Sequence, residues 1–71
     1  MAAIVDMSEA EEGPGFDVEV EWVGFDKSEN TWEALAKIWN ASPQFVKSEL
    51  RKLGLRKTVR AALKKQYGIV L

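Results

Sequence analysis

The stretch that most constrains this chain runs from Phe16 to Trp22, where apolar and acidic residues alternate without a break: Phe16, Val18, Val20 and Trp22 against Asp17, Glu19 and Glu21. A two-residue period puts each set on its own side of an extended backbone, so a half-buried strand is expected from Phe16 to Val23. Gly24 breaks the run. The segment Asp26 to Asn30 is polar and turn-forming, and the β-prone pair Thr31-Trp32 resumes an apolar pattern after it. The pattern predicts a hairpin whose second strand runs from about Asn30 to Leu35. Trp22, Phe25 and Trp32 then crowd around one loop.

The rest of the chain falls into place around that hairpin. Ala2 to Met7 carries Ile4-Val5 and is expected to form a short first strand, followed by an acidic connection from Ser8 to Gly15 in which Gly13-Pro14-Gly15 is a loop. Between Ala36 and Ala41, Ile38 is expected in the core, and Trp39 is either a lid on it or an exposed platform. Ser42 followed by Pro43 is a good helix start, because a serine side chain can cap free amides and proline suits the first helical position. Val46, Leu50 and Leu53 recur at i, i+4 and i+7 with Phe45 beside them, which predicts a helix from Pro43 to Leu53 lying over the sheet. Gly54 is expected to stop it. A second helix is expected at about Lys57 to Tyr67, with Leu55, Val59, Ala62, Leu63 and Tyr67 on one face and Arg56, Arg60 and Lys64 on another. The apolar end Ile69-Val70-Leu71 is expected either to pack back on the core or to mark where the chain has been cut.

Length and composition close off several classes of function. A chain of 71 residues is one domain at most, and ordering it costs on the order of 100 kcal/mol of conformational entropy, so the core is expected to be small. There is no cysteine and no histidine, which removes disulfides, thiolate chemistry and the usual zinc sites together. No apolar run approaches the roughly 18 residues needed to span a bilayer, and the first residues lack a basic then apolar signal pattern. A soluble, intracellular module without membrane contact is expected. Catalysis would need paired carboxylates or a lysine, but the acids sit on a strand edge or in loops. Gly13-Pro14-Gly15 does not lead a strand into a helix, so it is no phosphate loop. The expectation is a non-enzyme without cofactor or metal.

Charge is nearly balanced in total and sharply divided along the chain. Residues 1 to 41 hold ten acids and two bases, and residues 42 to 71 hold eight bases and one acid. An acidic half suits a cationic ligand and a basic half suits phosphate or an acidic partner, unless the two halves neutralise each other within the molecule.

The segment Trp22-Val23-Gly24-Phe25, a short acidic loop and Glu29-Asn30-Thr31-Trp32-Glu33 together resemble the signature of chromodomains. In that family a Trp-x-Gly-Tyr/Phe strand end precedes an Asn-Thr-Trp-Glu-Pro strand. Ser42-Pro43-Gln44-Phe45-Val46 through Leu50 is similar to the family's C-terminal helix, with a spacing like that of chromodomains appended to retroelement integrases. Ala34 stands where the family has proline. The resemblance implies an α+β fold: a small curled three-stranded antiparallel sheet, an SH3-like partial barrel, packed by a C-terminal helix. Its core would span about residues 4–53 of a single module, 1–71, with the basic helix at about 55–67 as an addition. It further implies a nuclear, chromatin-targeting module that holds a methylated lysine of a histone tail in an aromatic cage. Trp22 and Phe25 match two cage positions, Glu29 would add charge attraction, and Asn30 matches a position that contacts the peptide backbone. The family's first cage aromatic has no counterpart here: no aromatic precedes Phe16, so that element is cut off, replaced by Met1 or Met7, or absent by nature.

Other readings of these residues stay open. Trp22 shares its parity with Phe16, Val18 and Val20 and so suits a core as well as a cage, whereas Trp32 is assigned to the core. Arg56, Lys57, Arg60, Lys64 and Lys65 form either a DNA- or RNA-binding face, giving salt-dependent affinity without sequence reading, or a solvated helical surface. Leu55, Val59, Leu63 and Tyr67 offer enough apolar surface for a chromo shadow-like dimer if the chain's own core does not use them. The chain is accordingly expected to be a monomer or a weak homodimer.

Overall fold

The computed structural model describes all of residues 1–71. Its elements, in chain order, are strands β1 (Ala3–Glu9), β2 (Phe16–Glu21) and β3 (Thr31–Ala34), then helices α1 (Leu35–Ala41), α2 (Pro43–Lys52) and α3 (Lys57–Tyr67). A single 3-10 turn, Lys27–Glu29, lies in the hairpin between β2 and β3. The strands form one antiparallel sheet in the order β1-β2-β3.

The sheet is open. β1 and β3 are its two edges and do not pair, so the curled, SH3-like partial barrel expected from the sequence is not formed. Closing a sheet demands strands long enough to tilt and stagger, with bulges that bend them. Here β3 has four residues and passes at once into α1, and the one irregularity in the ladders lies between Ile4 and Asp6. Helices, rather than further sheet, cover the apolar face.

That face follows from the alternation in β2. Phe16, Val18 and Val20 point inward and are buried, while Asp17, Glu19 and Glu21 point to the outer face. Ile4 from β1, Leu35 and Ile38 from α1, and Val46 and Leu50 from α2 complete most of the core. It continues beyond Leu53. Leu63 of α3 and Ile69 after it are fully buried in the same cluster, so α3 is built into the fold, and Ile69 packs back while Val70 stays exposed. Leu55, Val59 and Tyr67 also pack against this core. The apolar stripe considered for a dimer is therefore used within the molecule.

Two polar contacts fasten the helices to the sheet. Glu49, buried in α2, accepts a hydrogen bond from the backbone N–H of Ile4 at 3.3 Å and one from Lys52 Nζ at 2.8 Å. The Tyr67 hydroxyl of α3 accepts from the N–H of Phe16 at 2.9 Å, at the very start of β2. Gly15 makes room for it. A Cβ there would come within 2.8 Å of Tyr67 Oη, and the φ of +119° is one that other residues rarely adopt.

Trp32, assigned to the core from its sequence, lies on the outer face and is 50% exposed. The register explains why. Trp32 pairs with Glu19, and paired residues of an antiparallel ladder share a face, so Thr31 and Glu33 take the inner positions opposite Val20 and Val18. Trp39 is half-buried against the core, as a lid.

Candidate functional site

The hairpin between β2 and β3 builds a concave patch from very few residues. After Val20 the inward direction of β2 reaches Trp22, two residues past the last pair with β3, Val20 with Thr31. Trp22-Val23-Gly24-Phe25 then forms a tight turn in which the Phe25 N–H donates to the Trp22 carbonyl at 3.2 Å. Gly24 holds φ at +82°, the conformation that the third position of a type II turn requires and that glycine adopts without steric cost. The turn throws Phe25 back beside Trp22. The 3-10 turn follows, with the Glu29 N–H donating to the Asp26 carbonyl at 2.9 Å, and it brings Glu29 to the same place.

Trp22, Phe25 and Glu29 line one shallow depression of about 320 Å³. Its walls differ in how firmly they are held. Trp22 is half-buried against the core, and its indole N–H donates to Thr31 Oγ1 at 2.8 Å, which fixes the ring's tilt. That acceptor belongs to a longer polar chain: the Lys37 ammonium, bonded to Glu33 at 3.0 Å, and next the Thr31 hydroxyl hold the Glu33 carboxyl below its ordinary pKa. Phe25, by contrast, is 64% exposed and offers an open ring face.

Two ring faces and a carboxylate around a solvent-open hollow suit a cation of low hydration. The aromatic quadrupole attracts positive charge over the ring, and a methylated ammonium gives up less hydration than a bare one. Three of the four ligand residues expected from the sequence thus come together. Asn30, the fourth, is beside them but does not line the depression; its Oδ1 is buried without a hydrogen-bond partner. Met1 and Met7 pack against the core and supply no third wall.

The basic residues Arg56, Lys57, Arg60, Lys64 and Lys65 are all exposed on or beside α3. None takes part in a salt bridge; the molecule has two, Lys37 with Glu33 and Lys52 with Glu49. Arg60 donates to the Leu71 carbonyl at 3.0 Å. The neutralisation of acidic sheet by basic helix weighed from the charge pattern does not occur through ion pairs of α3.

A second depression, on the outer sheet face, has no counterpart among the sites expected from the sequence. Trp32, Asp17, Ser8, Glu9 and Glu11 line it, and it becomes legible once Trp32 is given the parity of Glu19 instead of that of Val20. No group of His, Cys, Asp and Glu side chains is arranged to hold a metal ion, and no helix is long and apolar enough to cross a membrane. In comparison with known proteins, no family model, no curated protein and no solved structure matches this chain.

Proposed function

We propose that this chain is a recognition module that accepts a methylated lysine side chain of a basic peptide, of the histone-tail type, between Trp22, Phe25 and Glu29. The observation that carries the reading is the convergence of those three side chains on one depression. The affinity follows from what the walls can give. A cation over an exposed ring gains about 0.5–1 kcal/mol, rising to about 2 kcal/mol when the contact is desolvated. Phe25 belongs near the lower figure and the better-held Trp22 nearer the upper. An exposed carboxylate such as Glu29 adds at most about 1 kcal/mol. A two-walled site should therefore prefer a trimethylated peptide to the unmodified one by roughly tenfold, with pairing to the peptide main chain supplying further affinity.

The test is an amide-shift titration of the labelled chain with a trimethylated histone-tail peptide and its unmodified twin. Shifts should centre on Trp22, Phe25 and Glu29 and emerge at lower concentration with the methylated peptide. Trp22→Ala removes the stronger wall and also some packing on the core, so Phe25→Ala, at an exposed position, is the cleaner variant. It should keep the wild-type spectrum elsewhere and lose the preference for methylation. Equal binding of the two peptides by wild type, or an unchanged preference in Phe25→Ala, would refute the assignment.

A further inference from the structure

The outer face of the sheet carries an arrangement that the single molecule leaves uncompensated. In the ladder Asp6 faces Glu19, which faces Trp32, and the adjacent row is Ser8, Asp17 and Ala34; Glu21, opposite Ala3, continues the central strand. Directly opposed like charges destabilise a sheet. Neither salt bridge of the molecule involves Asp6, Asp17, Glu19 or Glu21, and Trp32 stands half-exposed among them.

The same chain carries the complement of this face. Along β2 the outward carboxylates Asp17, Glu19 and Glu21 recur every second residue, a spacing of roughly 6.7 Å on an extended strand. Along α3 and its N-cap, Arg56, Arg60 and Lys64 recur every fourth residue, a spacing of roughly 6 Å on an α-helix. The 11 residues of α3 span about 16 Å, and the six of β2 about 20 Å. The two charge rows thus match in number, pitch and length, yet no ion pair joins them within one molecule.

We infer that the outer sheet face is the docking surface for the basic face of α3 from a second copy of this chain. Arg56, Arg60 and Lys64 of one copy lie along Asp17, Glu19 and Glu21 of the next, and the indole of Trp32 receives one of the cationic side chains. The contact joins two different surfaces, so it is head-to-tail, and the pair keeps one free acidic face and one free basic face for further growth. It is independent of the Trp22 depression. Because the basic groups are exposed and the carboxylates only partly buried, screening governs the contact: the Debye length falls from about 30 Å at 0.01 M salt to about 3 Å at 1 M.

The experiment is a concentration series in sedimentation equilibrium on the whole chain at those two ionic strengths, with two charge-reversed variants checked for fold by circular dichroism. One is Asp17→Lys with Glu19→Lys, and the other is Arg56→Glu with Lys64→Glu. Wild type should associate at low salt and lose at least about tenfold in association constant at high salt. Each variant alone should remain a single chain, and their equimolar mixture should associate again, because each then meets the opposite charge it lacks. A wild-type mass fixed at one chain at every concentration, association by either variant alone, or no recovery in the mixture would overturn the inference. So would capture of an arginine-rich peptide on Trp32 by a protein that stays monomeric, since the face would then belong to a foreign partner.

Discussion

Replacing Tyr67 by phenylalanine tests whether α3 fastens the start of the central strand. The ring and its packing are kept, and only the hydroxyl that accepts the Phe16 N–H at 2.9 Å is lost. Orphaning a buried donor costs about 1–3 kcal/mol, and this bond is only partly buried, so about 1–2 kcal/mol is expected. At roughly 4–8 °C per kcal/mol for a domain of this size, the thermal midpoint should fall by about 4–16 °C. Gly15 sharpens the test. In Gly15→Ala the new methyl would stand 2.8 Å from Tyr67 Oη, so the hydroxyl must move and give up its bond, on top of about 1–3 kcal/mol of backbone strain at φ +119°. In a Tyr67→Phe background there is no hydroxyl left to displace, and only the strain remains. A double-mutant cycle by urea denaturation should therefore show Gly15→Ala to be less costly in the Tyr67→Phe background than in wild type, by about the 1–2 kcal/mol of the lost bond. Strict additivity, or a Tyr67→Phe variant as stable as wild type, would refute the reasoning.

Two further outcomes are expected. Leu63→Ala should cost about 2–5 kcal/mol in the same assay, because Leu63 is fully buried, whereas a helix merely appended to a core ending at Leu53 would lose far less. Acid should remove a small, assignable part of the stability. Glu33 has its carboxyl held below the ordinary value by Lys37 first and then by Thr31, so the folded chain binds this proton less tightly than the unfolded one. Its contribution is complete above the unfolded pKa and is lost as pH falls through the lowered folded value. With Lys37 mostly exposed, the contribution is about a few tenths of a kcal/mol. Denaturation curves of wild type and Glu33→Gln should differ at neutral pH and converge in acid, and a gap that widens in acid would contradict the sign.

What the sequence discloses is set by what its local patterns encode. The two-residue alternation of β2 and the four-residue stripe of α2 each name a buried face, and Val18, Val20, Val46 and Leu50 are all fully buried. Pro43 at the start of α2 and Gly68 at the end of α3, where φ is +72°, mark helix limits that the structure reproduces. Curvature leaves no such mark. Alternation says which side of a strand meets the core, not how far the sheet bends or whether its edges meet, and the short β3 with α1 directly behind it keeps the sheet open. Helix α1 is illegible for a related reason. Its seven residues bury only Leu35 and Ile38, too few for a period to show. Trp32 misleads because aromatic character suggests burial where register dictates exposure, and Thr31, the weaker apolar candidate, holds the inner position opposite Val20.

The same register gives Trp22 a place against the core and a place at the hairpin depression. Trp22 keeps the inward direction of Phe16, Val18 and Val20, but it lies beyond the paired part of β2, where the hairpin turns away. One side of the indole therefore packs on the core, the N–H is tied to Thr31, and the remaining face opens on Phe25 and Glu29. If the proposed cation binds there, a ring anchored in this way loses little freedom, so its contact costs less entropy than one made by a free side chain. Phe25 has no comparable anchor besides the turn at Gly24. On the proposed methyl-lysine reading, selectivity would rest on Trp22 for strength and on Phe25 for closure, which is why the exposed phenyl ring, although the weaker wall, is the one whose removal would report on binding without disturbing the core.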